Sequence, residues 1–257
     1  MKVLDEITTP IAAELAQFEA FFEKTLRADS EPMDSIMQYV RSTRGKRLRP
    51  ILVLLSAKLF GEVNSQTLRA ATFVEMVHTA TLIHDDVVDD DDLRRGQASV
   101  KAQWDSRTAV LAGDYLLAQA MLLISQPDDH EILQEMLRTS AAMSEGELMQ
   151  NQNLDGFDYL DIITRKTATL MRSCCAAGAM SVGATTEQVE QVSAFGLCFG
   201  QLFQMHDDIL DADSPETLAC AQQLLPSYLQ QAHTLLEAFP ASEAQQALHE
   251  LVDTLRV

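Results

Sequence analysis

The sequence is poor in turn formers, thiols, cations and long apolar runs. Ten Gly and seven Pro in 257 residues are few, so little in the chain interrupts helix. Of the 4 Cys, Cys174 and Cys175 are adjacent, Cys198 and Cys220 stand alone, and no C-x-x-C pair suggests zinc or a redox couple. Reduced thiols in a cytoplasmic protein are the expectation. The opening Met-Lys-Val-Leu-Asp-Glu lacks the basic start and continuous apolar stretch of an export signal. Apolar runs such as 51–55 and 121–124 fall far short of the roughly 20 residues that span a bilayer, so no membrane span is expected. Only 19 Lys and Arg stand against 38 Asp and Glu, giving net charge −19. Such a chain repels a phosphate backbone, and nucleic acid is not expected as a partner.

What remains is helix-forming. Apolar residues make up 47% of the chain, and Ala, Leu, Gln, Glu and Met are plentiful. Thr9-Pro10 reads as a cap and first helical position, followed by Ile11, Leu15, Phe18, Phe21, Phe22 and Leu26 at three- and four-residue intervals. Further periodic segments cover about 32–43, 48–60, 66–90, 99–103, 108–125, 129–150, 157–182, 187–211, 215–238 and 242–255. Gly45, Gly61, Gly96, Pro127, Gly156, Gly183, Pro215, Pro226 and Pro240 punctuate the pattern and leave only short connections. The expected fold is all-α: one domain over 1–257, a bundle of about ten helices whose central members are apolar nearly all round.

One internal echo stands out. His84-Asp85-Asp86-Val87-Val88-Asp89 returns as His206-Asp207-Asp208-Ile209-Leu210-Asp211. With 21 Asp in the chain, D-D-x-x-D is expected by chance well under once. On a helix, Asp85 and Asp89 stack one turn apart on one face, as do Asp207 and Asp211. Like charges so close raise each other's pKa unless a cation answers them. Hard carboxylate oxygens suit Mg²⁺, which is usually held by one or two carboxylates together with substrate phosphates. Both clusters follow strongly apolar segments, which places them at the mouth of a core. Asp90, Asp91 and Asp92 read as a solvated run or loop start without a role. The EF-hand pattern is excluded, because the Gly at position 6 and the Glu at position 12 are missing.

In so acidic a protein, grouped cations are conspicuous. Gly45-Lys46-Arg47-Leu48-Arg49-Pro50 puts Lys46 and Arg49 three apart where a helix opens and its backbone N–H groups add to an anion site. Arg94-Arg95-Gly96 follows the first cluster, Lys166-Thr167 offers an ammonium beside a hydroxyl, and His78 lies two turns below Asp85 on its face. Together they suit a diphosphate.

The run G-K-R-L-R-P, then E-M-V-H-T-A-T-L-I-H-D-D-V-V-D with L-R-R-G, then R-K-T-A, then F-Q-M-H-D-D-I-L-D resembles the trans-isoprenyl diphosphate synthase (polyprenyl synthase) family over roughly 35–213. The resemblance implies an all-α homodimer with two aspartate-rich helices facing each other across a deep central cavity. By it, Lys46, Arg49, His78 and Arg95 hold the diphosphate of isopentenyl diphosphate. Arg94, Lys166, Thr167 and Gln204 hold that of an allylic primer such as farnesyl or geranylgeranyl diphosphate. Asp85, Asp89 and Asp207 coordinate Mg²⁺, with Asp86, Asp208 and Asp211 assisting. The implied reaction ionises the allylic C–O bond, lets the homoallylic double bond attack head to tail, and loses a proton. Below Asp85, Val74, Val77, Ala80 and Thr81 supply no aromatic floor, which by the same resemblance implies a long, quinone-tail-like product.

After Asp213 the resemblance lapses. Ser214-Pro215-Glu216 reads at once as a new helix start, whereas the family continues with a lysine-bearing loop; several tens of residues of that pattern are missing, and no lysine follows Lys166. A non-catalytic partner subunit is therefore the competing reading. A class I terpene cyclase is a weaker one, because D-D-I-L-D stands where an N/D-x-x-S/T-x-x-x-E motif belongs.

Overall fold

The computed structural model describes residues 2–43, 45–151, 158–212 and 214–257. The helices are α1 (Lys2–Ile7), α2 (Ala12–Thr25), α3 (Glu31–Ser42), α4 (Leu48–Lys58), α5 (Ser65–Val88), α6 (Val100–Gln103), α7 (Ser106–Leu123), α8 (His130–Asn151), α9 (Tyr159–Ile163), α10 (Thr169–Ser181), α11 (Thr186–Asp211), α12 (Pro215–Leu236) and α13 (Glu243–Asp253). A two-residue antiparallel hairpin, β1 (Leu93–Arg94) with β2 (Gln97–Ala98), joins α5 to α6.

The long helices start where their side chains can satisfy the first free N–H groups. Asn64 caps α5 by accepting from Gln66 and Thr67, while Thr67 answers the Asn64 N–H. Thr185 and Gln188 do the same for α11. Ser214 caps α12 with Pro215 in the first turn, as the sequence predicts. At the other end of the chain, Thr9-Pro10 opens a single 3₁₀ turn (Thr9–Ile11) before α2 begins. Pro226 lies inside α12 and breaks nothing; it removes one ladder donor.

The core forms around α10, which packs against α4, α5, α8 and α11. Its Ala176, Ala177 and Ala179 are buried and small, so neighbouring helices approach closely. Leu52, Val53, Leu54 and Leu55 of α4 are fully buried, as expected for a helix apolar all round. Truncating one such leucine to alanine costs about 2–5 kcal/mol. The predicted continuous helix over 157–182 is interrupted: between α9 and α10, residues Thr164–Ala168 form a π-turn, one residue wider than an α-turn. Residues 152–157, including the expected breaker Gly156, lie outside the described part. Among the described residues no single helix is long and apolar enough to cross a membrane.

Candidate functional site

The N-terminal end of α4 supplies the first group of charges. Arg47 takes a left-handed conformation (φ 55°), and no side chain caps the helix behind it. Arg49 is half-buried; its Nη1 lies 2.9 Å from His78 Nε2, while its buried Nε has no hydrogen-bond partner. An orphan guanidinium donor in a buried position is an anion site in waiting. Burial, together with Arg49 and the other arginines, pushes His78 well below the usual histidine range, so its neutral ring accepts from Arg49. Arg95 donates to the Thr43 carbonyl (3.3 Å), and its guanidinium fills the space where a Gly45 side chain would project, 2.5 Å from that Cβ position. Arg49, His78 and Arg95 thus come together, through α4, α5 and the turn of the hairpin, while Lys46, just before α4, acts on Asp207 of the second cluster.

The first acidic cluster divides its labour. Asp86 is 3% exposed and takes Arg94, whose Nε donates to Oδ1 at 2.7 Å and whose Nη2 bonds the same oxygen. Asp85 and Asp89 form no ion pair among the described residues. Burial, then the nearby Glu147, push the Asp85 carboxyl up to about 6, with Lys166 pulling the other way. A carboxylate so disfavoured is one that a divalent cation would relieve. Asp90, Asp91 and Asp92 do have partners: Lys101 bonds Asp90 and reaches Asp92, and Arg94 reaches Asp91. They pin the hairpin.

The second cluster is organised by neutral donors. Asp208 receives the Tyr159 hydroxyl at 2.5 Å and the Gln204 amide at 2.9 Å. Gln204 in turn accepts from Thr167 Oγ1 at 2.7 Å, and Gln201 donates to Thr164 Oγ1 at 2.8 Å. The π-turn is therefore stitched to α11 along its length. Burial raises Asp207, offset by His206 and Lys46. Lys166, beside Thr167, lies 2.9 Å from Glu147 of α8. This contact demands a glycine: a Cβ at Gly146 would sit 2.7 Å from Arg165 Cβ and 2.9 Å from Lys166 N.

Two chains of neighbours link the acidic helices. Asp85 feels Lys166, whose neighbour Thr167 bonds Gln204 and hence Asp208. Arg49 feels Asp207 and bonds His78, two turns below Asp85. Among the described residues no three His, Cys, Asp or Glu converge on one point. The donor set suits a hard cation completed by substrate and water oxygens. Of the residues set below Asp85, Val74, Val77 and Ala80 are buried and Thr81 is half-buried. A cavity of about 50 Å³ opens on a different face of α5, by Thr79, Leu82 and Asp86, and is edged by Arg47, Arg94 and Arg95.

Sequence reasoning passed over Arg47, Glu75, Glu147 and Tyr159. Arg47 was visible within G-K-R-L-R-P, but the other three carry no local signal, since their partners lie 19 to 49 residues away.

The heptaprenyl diphosphate synthase component 2 of Geobacillus stearothermophilus is 35% identical over 212 residues, 80% of this chain and 66% of that one. The chain thus spans just under two thirds of that curated relative. The octaprenyl diphosphate synthase of Haemophilus influenzae is 30% identical over 270 residues, covering 97% of this chain and 82% of that one. In structure, a polyprenyl synthase from Caulobacter crescentus, solved with calcium and isoprenyl diphosphate, matches with a TM-score of 0.90 at 27% identity, over 98% of this chain and 97% of that one. The family model Polyprenyl synthetase matches residues 30–219, the stretch that holds both acidic clusters and every cation gathered around them, and the chain belongs to that family.

Proposed function

We propose that the protein condenses isopentenyl diphosphate head to tail onto an allylic diphosphate, giving a long-chain all-trans polyprenyl diphosphate. The observation that carries this reading is a pair of matched acidic helix ends linked by two chains of neighbours, Arg49 with His78 and Lys166 with Thr167 and Gln204, where one buried arginine nitrogen has no partner. Lys46, Arg49, His78 and Arg95 would hold the diphosphate of isopentenyl diphosphate, and Arg94, Lys166, Thr167 and Gln204 that of the primer, farnesyl or geranylgeranyl diphosphate. Asp85, Asp89 and Asp207 would hold Mg²⁺, with Asp86, Asp208 and Asp211 supporting. Bound Mg²⁺ supplies charge neutralisation on the leaving diphosphate. The cationic side chains add donors aimed at the same developing charge, and the apolar walls keep water from the allylic cation. No protein nucleophile is needed. The proton lost after attack goes to the released diphosphate.

The decisive assay mixes the protein with farnesyl diphosphate, isopentenyl diphosphate and Mg²⁺ and resolves products by length; absence of any elongated product sinks the reading. Val74, Val77, Ala80 and Thr81 would line the growing chain. Ala80→Phe is expected to shorten the products, and an unchanged length distribution would refute that lining.

Self-association is part of the proposal. Val110, Leu111, Met121 and Leu122 of α7 and Leu137 and Leu148 of α8 are exposed, Leu122 by 63%. Exposed apolar side chains on two successive helices favour a homodimer; light scattering that gives a monomer mass would exclude it. A second reading, a non-catalytic subunit, draws on the short joint from α11 to α12 and the absence of lysine after Lys166. It predicts turnover only when a second protein is added. We place the protein in the cytoplasm.

A further inference from the structure

Three basic residues stand in close succession at the entrance to α4, and the middle one is engaged by two carboxylates. Arg47 holds a left-handed backbone that is sterically costly for any residue but glycine. Its side chain explains why the conformation persists. Nε reaches Glu19 at 2.9 Å, Nη1 reaches Glu75 at 2.6 Å, and the guanidinium lies over the Phe22 ring, 4.7 Å from its centroid. Glu75 is buried in the middle of α5, one turn before His78, the residue that Arg49 bonds. The rungs Arg47–Glu75 and Arg49–His78 therefore lie side by side between the α4 entrance and α5. A bare carboxylate at Glu75 would be costly and would seek a cation. Its field already acts on Arg49 and on Arg95. Arg49, with an unpartnered buried Nε, is the guanidinium next in line.

We infer that Arg47 is a positioning residue: by engaging Glu75 it keeps that carboxylate from capturing Arg49, which stays turned, with Lys46, toward an incoming diphosphate. This rests on the reading of Lys46, Arg49, His78 and Arg95 as the isopentenyl diphosphate subsite.

The test uses the full chain and its Arg47→Met, Arg47→Lys, Glu75→Gln and Arg47→Met/Glu75→Gln variants. Isothermal titration with isopentenyl diphosphate gives Kd, and steady-state assays give KM for both substrates. Arg47→Met is expected to weaken isopentenyl diphosphate about tenfold while the primer's KM stays within about twofold, because only one subsite loses its guanidinium. Arg47→Lys keeps a charge on Glu75 and recovers most of the loss. The double variant, lacking the competing carboxylate, returns to within about threefold of the parent. An Arg47 that merely props up the loop would not be rescued by removing Glu75, so a double variant as weak as Arg47→Met overturns the inference. Should Arg47→Met fail to fold, Glu75→Gln alone decides: Kd near the parent value supports the inference, and a tenfold loss overturns it. A parent protein that does not bind isopentenyl diphosphate overturns the subsite reading itself, whereas a parent that binds alongside an unrescued double variant overturns only the role of Arg47.

Discussion

The two His-Asp-Asp-x-x-Asp helix ends share a sequence and keep different company. In the first, the middle carboxylate, Asp86, is buried and answered by a full positive charge from Arg94. In the second, Asp208 sits between two neutral donors, Tyr159 and Gln204. The leading histidines also diverge. His84 Nε2 donates to the Val110 carbonyl of α7 at 3.2 Å, while His206 stays beside its own neighbour Asp207, Nδ1 to Oδ1 3.5 Å. After the first cluster the chain turns through Asp90 (φ 59°) into the hairpin that carries Arg94 and Arg95. After the second it caps with Ala212 (φ 49°) and enters α12 at Pro215. The comparison teaches that the middle aspartate of each cluster is a tether, while Asp85 and Asp89, outside it, are tied to no cation among the described residues, which is what the proposed metal role asks of them. What the tether holds differs: an arginine and its hairpin in one case, the π-turn with Lys166 and Thr167 in the other.

The largest expected effect separates outer from middle positions. Asp85→Ala should lower kcat about 10³-fold, as loss of a carboxylate that places the leaving-group charge does, whereas Asp208→Asn, which keeps one hydrogen bond, should cost only about tenfold. Equal losses in steady-state turnover would break the division of roles. Next in size is stability. Asp86→Asn leaves Arg94 only the exposed Asp91 as a charged partner and should cost about 2 kcal/mol in urea unfolding, against about 1 kcal/mol for Asp208→Asn; the reverse order would show that the neutral tether is the stronger.

Acidity sharpens the contrast. Asp85, raised from 3.8 to about 6, binds a proton more readily folded than unfolded. Between those values the folded state holds the extra proton, so its contribution to stability is greatest at the acid end and is lost as pH rises through 6. Without divalent cation, the parent should melt higher at pH 5 than at pH 7, relative to Asp85→Asn, whose difference should be smaller. Identical pH profiles for the two proteins would contradict the raised value. The smallest effect is Tyr159→Phe, which removes one donor to Asp208 and should lower Tm by about 2–4 °C, near 1 kcal/mol for a chain of this size. A larger fall in calorimetry would mean the hydroxyl anchors more than one carboxylate.

Much of this was readable from the chain. Helix ends were legible because breakers and capping residues act locally: Ser214 was read as a cap and is one, whereas Asn64 and Thr185, which also do their work within three residues, were not singled out and only the breakers Gly61 and Gly183 marked those starts. The paired clusters were legible because an i,i+4 spacing fixes a face. The π-turn was not, since one extra residue in a single turn leaves hydrophobic spacing on either side intact. Nor was the grip of Arg94 on Asp86, which depends on Arg95 and Gly96 taking positive φ (55° and 77°) to bring the hairpin back. Glu75 gave no sign of its role because a lone acid in an apolar helix looks the same whether or not an arginine from another helix meets it.

The wide turn at Thr164–Ala168 and the bare backbone at Gly146 form one unit in inheritance. Descendants of this sequence that gain any side chain at 146 press on the Arg165 and Lys166 main chain, and the relief available is to shorten the turn by a residue, which rotates the lysine off its station. Position 146 and the length of that segment should therefore drift together or not at all, and a relative with alanine at the first should show an ordinary helical repeat at the second.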